Sequence, residues 1–251
     1  MKKPRLSSVL IITNIITLIC LSVMVFYHFM PQKTSGGRAH HHAAVFSKRM
    51  NYSYRDNYTY DLRNGLFAIY SMKRADIVML GDSITFGVEW NELLSRDDIV
   101  NRGIIADTTE GFRNRLDNVY SLKPELCFIM GGINDICLGI PVNEIAANFS
   151  RIITSLKNHN IRPVIQSTLY MTKDMPEWET VNKKVDELNY LLKKISSDEN
   201  VRYLDLNDVL SDKNSLVSEH SYDGLHLSGS AYAKWRNLIL PVLQTMRHQE
   251  E

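Results

Sequence analysis

The sequence predicts an α/β protein in which a parallel five-stranded sheet is covered by helices on both faces. Three observations support this prediction: short apolar runs alternate with amphipathic helical patterns, the runs are continuous, and polar residues follow their ends. Continuous apolar runs are typical of strands that are buried on both faces. Alternation of strand and helix favours crossovers that produce a parallel sheet. We expect one domain with the strand order 2-1-3-4-5.

The elements follow in order along the chain. The apolar runs predict strands at residues 77–80, 99–100, 126–130, 162–166 and 201–204. Amphipathic patterns predict helices at residues 144–158, 181–195 and 231–246, where apolar residues recur three or four apart. Leu62, Leu66 and Tyr70 recur at helical spacing as well, and they predict a helix that docks on the domain.

Length and charge limit the classes of protein that this chain can belong to. Its 251 residues are enough for one α/β domain together with an anchor and a linker. The 29 basic and 28 acidic residues leave a net charge of +1, so no nucleic-acid partner is predicted. Three cysteines are too few and too scattered for a disulfide framework.

The N-terminal region predicts a membrane anchor. Residues 9–30 contain no charged side chain, and a helix of this length spans roughly 30 Å of hydrocarbon. Lys2, Lys3 and Arg5 precede it, which favours a cytoplasmic N-terminus. We therefore expect a single-pass protein of the cell membrane, with its catalytic domain on the extracytoplasmic side.

The corresponding domain boundaries are a cytoplasmic N-terminus at 1–8, a transmembrane signal anchor at 9–30, a linker at 31–44 and the catalytic domain at 45–251. The alternative is a signal peptide that is cleaved, which would leave a secreted domain. A cleaved signal usually has a shorter apolar core followed by a small-x-small site, and no such site closely follows Met30.

Candidate chemistry begins at the end of the first predicted strand. In parallel sheets, ligands bind outside the carboxyl ends of the strands. Ser83 lies there, in a Gly-Asp-Ser turn that opens a helix. The free N–H groups of a helix N-terminus suit a developing oxyanion, so Ser83 is a candidate nucleophile. Taken alone, the same position fits a plain helix N-cap.

Two further loops contribute side chains at the same edge of the sheet. Asp223 and His226 lie three residues apart, which lets the carboxylate accept from Nδ1–H and leaves Nε2 to take a proton from Ser83. Asn134 follows the third predicted strand, and its amide can donate to an oxyanion, although it also suits an ordinary turn. Asp135 beside it is expected to have a structural role between the loops.

Together these segments resemble the sequence blocks of the SGNH/GDSL hydrolases, in particular GDSL-like lipases, acylhydrolases and acetylesterases. The matching segments are LGDSIT at 80–85, NRGIIADTT at 101–109, GGIND at 131–135 and DGLHLS at 223–228. The resemblance implies a three-layer α/β/α fold with a flavodoxin-like sheet. It also implies ester hydrolysis without a metal or organic cofactor, and an oxyanion hole formed by the Ser83 N–H, a second-block N–H and the Asn134 side chain.

One position departs from the family pattern. The second-block donor is usually a glycine, whereas this chain has Ala106. The N–H of an alanine serves equally well if its φ is negative, but a positive φ would strain the residue.

The resulting prediction is a serine esterase that acts on a small-molecule or glycan acyl ester, with short acyl groups such as carbohydrate O-acetyl favoured. The alternatives are an O-acyltransferase with the same triad, a lysophospholipase or thioesterase, and a non-catalytic binding protein on the same fold. Trp90, Tyr170 and Trp178 are candidates for a sugar pocket, and they fit equally well as packing residues.

Overall fold

A parallel five-stranded sheet forms the centre of the computed structural model, which describes residues 53–247, the last two by their backbone alone. The strands are β1 (Ile77–Gly81), β2 (Ile99–Gly103), β3 (Leu126–Met130), β4 (Arg162–Gln166) and β5 (Arg202–Leu204). Their order is β2-β1-β3-β4-β5, and every neighbouring pair is parallel. The predicted strand order is therefore confirmed.

Ten helices flank the sheet in the described part of the chain. They are α1 (Tyr58–Ile69), α2 (Ser83–Phe86), α3 (Trp90–Leu94), α4 (Thr109–Arg113), α5 (Asp117–Tyr120), α6 (Ile133–Cys137), α7 (Val142–Asn158), α8 (Trp178–Asp198), α9 (Asn207–Leu210) and α10 (Gly229–Arg247). A small hairpin, β6 (Ser211–Asp212) and β7 (Ser215–Leu216), follows α9, and single 3-10 turns lie at Tyr54–Asp56 and Ser218–His220. Helices α7 and α8 pack against each other, whereas α10 packs against α3 and α9. The result is the expected three-layer α/β/α arrangement.

The second strand is longer than predicted. The apolar pattern covers only residues 99–100, but β2 runs over Ile99–Gly103. Asn101 and Arg102 are polar and resemble a turn in the sequence, yet both pair with β1 through their backbones. The Arg102 guanidinium lies 4.6 Å from the centroid of the Phe67 ring, so a helix of the N-terminal region covers its charged side chain. A tertiary contact thus extends a strand that local hydrophobicity would end.

Helix α1 confirms the docking helix that the sequence predicts before the sheet. It starts where it does because Asn57 Oδ1 accepts a hydrogen bond from the Thr59 N–H at 3.0 Å, which caps the first turn. The buried side chains of Tyr60 and Phe67 face Ile104 in the loop after β2. This cluster is separate from the main core, which lies on both faces of the sheet.

The predicted transmembrane helix at residues 9–30, the cytoplasmic segment at 1–8 and the linker at 31–44 lie outside the described residues. Between residues 53 and 247, no helix is long and apolar enough to cross a membrane. The anchor and the extracytoplasmic location thus stay predictions.

Candidate active site

Ser83 lies two residues after the end of β1, as the first residue of the short helix α2. Asp82 caps this helix, because its Oδ1 accepts from the Ile84 N–H at 2.9 Å. The turn passes so close to β2 that a Cβ on Gly103 would lie 2.3 Å from the backbone nitrogen of Phe86, which explains the glycine there. Within the described chain, the Ser83 N–H has no hydrogen-bond acceptor. It is thus available to a ligand.

His226 and Asp223 meet Ser83 at the same edge of the sheet. The distance from His226 Nε2 to Ser83 Oγ is 2.9 Å, and the distance from His226 Nδ1 to Asp223 Oδ2 is 2.7 Å. The other Asp223 oxygen accepts from the backbone N–H groups of Leu225, at 3.0 Å, and His226, at 2.8 Å. These three side chains, which the sequence analysis placed on one rim, form a continuous hydrogen-bonded chain.

The Asp223 carboxylate is held in its ionised form. Burial acts to raise its pKa, but the hydrogen bond from the His226 side chain and the two backbone N–H groups outweigh burial and leave the pKa well below its usual range. An ionised Asp223 fixes the tautomer of His226 with the hydrogen on Nδ1, so Nε2 faces Ser83 as an acceptor.

The loop after β2 presents Ala106 beside Asn134. Ala106 has φ +56°, in the left-handed region. Of the two possibilities for this alanine, the positive φ that strains the residue is therefore the one observed. No acceptor for its N–H is found among the residues that the structure describes. Asn134 Nδ2 donates to the Asp107 carbonyl at 2.9 Å, which places the amide at this loop and leaves its second hydrogen for another acceptor.

Asp135 joins the same loop to α6. It accepts from the Thr109 N–H at 3.1 Å and from the Thr109 hydroxyl at 2.6 Å. Asp135 is fully buried, so these bonds satisfy a carboxylate that water does not reach. The structural role expected for Asp135 is consistent with these contacts.

A buried arginine that the sequence analysis did not single out lies behind the site. Arg115 donates to Asp107 Oδ2 at 2.7 Å, to the Arg102 carbonyl at 2.7 Å and to the Gly81 carbonyl at 2.9 Å. Its side chain is 1% exposed, and that of Asp107 is fully buried. One guanidinium thus joins the ends of β1 and β2 to the loop that carries Ala106. The sequence offers no signal that separates this arginine from solvated ones.

Asp82, which caps α2, is a further buried carboxyl group beside Ser83. Its Oδ2 has no hydrogen-bond partner in the described part of the protein. Burial raises the pKa of Asp82 to about 7, although the bond from the Ile84 N–H and the nearby His226 oppose the shift. The turn that carries Ser83 thus contains a carboxyl group whose pKa is raised to about 7.

The three aromatic candidates for a sugar pocket fit their alternative interpretation as packing residues. Trp90 and Tyr170 are buried packing residues, and Trp178 packs half-buried against the core. Tyr222 is 67% exposed instead, and its ring lies 5.9 Å from that of His226 at an interplanar angle of 18°. Tyr222 directly precedes the Asp-x-x-His motif, which is the signal that identifies it.

The chain is similar to known proteins both in sequence and in fold. Residues 79–234 match the model of the GDSL-like Lipase/Acylhydrolase family, a span that includes all four resembling segments. The isoamyl acetate-hydrolyzing esterase of Saccharomyces cerevisiae is 26% identical over 180 residues, which cover 63% of this chain and 74% of that protein.

Solved structures share the fold. A GDSL-like lipase from Bacteroides thetaiotaomicron superimposes with a TM-score of 0.66 at 20% identity, covering 74% of this chain and 98% of the other. A lipase/acylhydrolase from Enterococcus faecalis gives 0.59 at 24% identity, covering 68% and 96%. At these identities the likeness is one of fold.

Proposed function

Because the chain belongs to the GDSL-like lipase/acylhydrolase family, we propose that it is an esterase with Ser83 as nucleophile, His226 as general base and Asp223 as the orienting carboxylate. One observation supports this assignment above all others. The hydrogen-bonded chain from Ser83 Oγ through His226 to Asp223 has distances of 2.9 Å and 2.7 Å. Both fall within the range needed for proton transfer and orientation.

In the proposed acylation step, His226 Nε2 takes the proton of Ser83 as Oγ attacks the ester carbonyl. The resulting oxyanion accepts hydrogen bonds from the Ser83 N–H, the Ala106 N–H and the second hydrogen of Asn134 Nδ2. The C–O bond to the alcohol then breaks, and His226 returns the proton to the leaving oxygen. The product of this step is an acyl-enzyme at Ser83.

Deacylation repeats the sequence with water as the nucleophile. His226 Nε2 takes a proton from the water, whose oxygen attacks the acyl carbonyl, and the same three donors hold the second oxyanion. Breakage of the bond to Ser83 Oγ releases the carboxylic acid and returns the proton to serine. No step requires a metal or an organic cofactor.

We propose short acyl groups as the substrate class. The yeast relative, as its name says, hydrolyses isoamyl acetate, which is an acetate ester. The exposed ring of Tyr222 beside His226 offers a flat apolar surface to the alcohol part of a substrate, which suits the ring of an O-acetylated carbohydrate. The predicted membrane anchor would give such an enzyme access to esters outside the cytoplasm.

Active-site labelling tests the proposal. The full-length protein is treated with a fluorophosphonate, and wild type is compared with Ser83→Ala and His226→Ala. We expect the label on wild type alone, and hydrolysis of p-nitrophenyl acetate to fall by about 10⁴-fold or more in both variants. Ser197→Ala is the matched control, because Ser197 is exposed at the far end of α8 and should keep both label and turnover.

The acyl-chain length is tested on the same preparations. A series from p-nitrophenyl acetate to p-nitrophenyl decanoate should show kcat/KM falling as the chain lengthens. A label that survives Ser83→Ala would refute the assignment of the nucleophile. A kcat/KM that rises toward decanoate would refute the short-chain proposal without affecting the assignment of the triad.

A further inference from the structure

The segment before the family domain makes direct contact with the proposed oxyanion loop. Residues 53–69 lie outside the span 79–234 that matches the family model. Asn57 Nδ2 nevertheless donates to the Ile105 carbonyl at 2.7 Å. The Thr59 hydroxyl lies 3.1 Å from the same oxygen, but its single hydrogen is shared with Asn57 Oδ1 at 2.8 Å, so Asn57 is the principal donor.

The contacted carbonyl belongs to the peptide group that carries the Ala106 N–H. A peptide group is planar, and all peptide bonds in the described chain are trans, so the Ile105 C=O and the Ala106 N–H point in opposite directions. A hydrogen bond that fixes the carbonyl therefore fixes the direction of the N–H as well. It also polarises the amide and makes that N–H a stronger donor.

Asn57 is itself held rigidly. It is 6% exposed, and its Oδ1 accepts from the Thr59 backbone N–H at 3.0 Å as the N-cap of α1. Since a backbone N–H requires an acceptor, this bond identifies Oδ1 and assigns the donor role to the nitrogen that faces Ile105. One amide group therefore makes both contacts: its oxygen caps α1, and its nitrogen donates to the Ile105 carbonyl.

An apolar contact and a hydrogen bond of the segment lie on the two sides of Ala106. Ile104 is fully buried among Tyr54, Tyr60 and Phe67. The Tyr60 hydroxyl donates to the Gly111 carbonyl at 3.0 Å, beyond the other end of the loop. The segment thus contacts the chain before Ala106, at Ile104 and Ile105, and after it, at Gly111.

The conformation of Ala106 explains why such a contact is needed. An alanine with φ +56° is less stable than a glycine in the same place, and a strained residue persists only where its surroundings impose it. We propose that Asn57 is a positioning residue that, through the Ile105 carbonyl, holds the Ala106 N–H in the direction of the oxyanion. This inference rests on the proposed function and adds a contribution from outside the family domain to the active site.

The test uses Asn57→Asp in the full-length protein. Aspartate retains the oxygen that caps α1 but cannot donate to the Ile105 carbonyl. We expect kcat for p-nitrophenyl acetate to fall about 10- to 100-fold with little change in KM, because the donor acts on the transition state. Adding Ala106→Gly should recover part of the loss, since glycine adopts positive φ without help. Asn57→Ser, which also caps but is too short to reach Ile105, is the second variant if Asn57→Asp unfolds.

The matched control is Asn118→Ala. It removes the 3.0 Å bond from Asn118 to Asn64, so it loosens the docking of α1 without contact with Ile105, and it should keep wild-type kcat. Ser83→Ala is assayed alongside. If Ser83→Ala is inactive while Asn57→Asp and Asn57→Ser keep wild-type kcat, the inference is overturned and the proposed function stands. Activity in Ser83→Ala would instead overturn the proposed function.

Discussion

The two sides of the proposed active site differ in how their side chains and backbone groups are held in place. On the triad side, Asp223 and His226 bond to each other within one short motif, and Asp223 also accepts from N–H groups two and three residues away. On the oxyanion side, Ala106 and Asn134 depend on partners from distant parts of the chain.

This difference indicates which parts of the site tolerate change. Two short motifs supply the triad once the sheet brings their loops together, and the Asp-x-x-His motif contains the hydrogen bonds that hold Asp223 and His226. The oxyanion loop needs Arg115 on one side and the segment 53–69 on the other. We therefore expect the oxyanion loop to depend on distant residues, whereas Asp223 and His226 depend on each other.

The largest effect that separates the two sides is expected from Asn134→Ala. This change removes one proposed oxyanion donor and leaves the hydrogen bonds among Ser83, His226 and Asp223 untouched. Loss of one such donor costs about 10²–10³ in kcat, which is less than loss of a triad member. Steady-state kinetics with p-nitrophenyl acetate measures the effect, and KM should change little.

Asn91→Ala is the control for this comparison, because Asn91 is exposed on α3 and should have wild-type kinetics. If Asn134→Ala kept the kcat of wild type, Asn134 would be a loop-bonding residue only, through its contact with the Asp107 carbonyl. If Asn134→Ala lowered kcat as much as Ser83→Ala does, the distinction between the two sides would fail.

A smaller effect, on stability, is expected on the triad side from Asp82. Burial raises its pKa in the folded protein to about 7, above its ordinary value of 3.8. The folded state therefore binds more protons than the unfolded state between these values, so this stabilising contribution is complete below about pH 4 and is lost as the pH rises through about 7. Between pH 5 and pH 8, the free energy of unfolding of wild type should fall by on the order of 2 kcal/mol relative to that of Asp82→Asn.

Denaturant unfolding of both proteins at several pH values measures this difference, and groups common to both proteins cancel in the comparison. If the free energies of unfolding of wild type and Asp82→Asn changed with pH in parallel, Asp82 would not titrate in this range. A wild type that gains stability with rising pH relative to Asp82→Asn would show that its pKa is lowered by an opposing charge.

The order of the sheet and the three layers are predictable from the sequence because strands buried on both faces form continuous apolar runs. The limits of prediction appear at the ends of elements. Asn101 and Arg102 resemble a turn, but they extend β2 because the edge strand pairs through its backbone and Phe67 covers the arginine. That cover comes from a helix more than thirty residues away, which local patterns do not contain.

The same distinction applies to the site. Ser83, Asp223, His226 and Asn134 are recognisable because the residue types, their spacing and their positions after strands coincide. The sequence does not predict Arg115 or Asn57, because their contacts depend on burial and on partners that the fold brings together. A helix-capping asparagine looks the same in the sequence whether its nitrogen faces water or the Ile105 carbonyl.

The smallest expected effect sharpens the comparison on the oxyanion side, and it comes from Ala106→Gly in the otherwise unchanged protein. Ala106 is exposed, so its methyl group contributes little burial. Relief of the left-handed conformation, roughly 1–2 kcal/mol, should exceed the extra chain entropy of glycine, roughly 0.5–1 kcal/mol. The free energy of unfolding should rise by about 0.5–1 kcal/mol, with kcat retained because the N–H remains. Ala147→Gly, in the middle of α7, is the control of opposite sign and should lose about 1 kcal/mol. If Ala106→Gly and Ala147→Gly lowered the free energy of unfolding equally, Ala106 would not be strained. Asn57 would then act only by orienting the peptide group between Ile105 and Ala106.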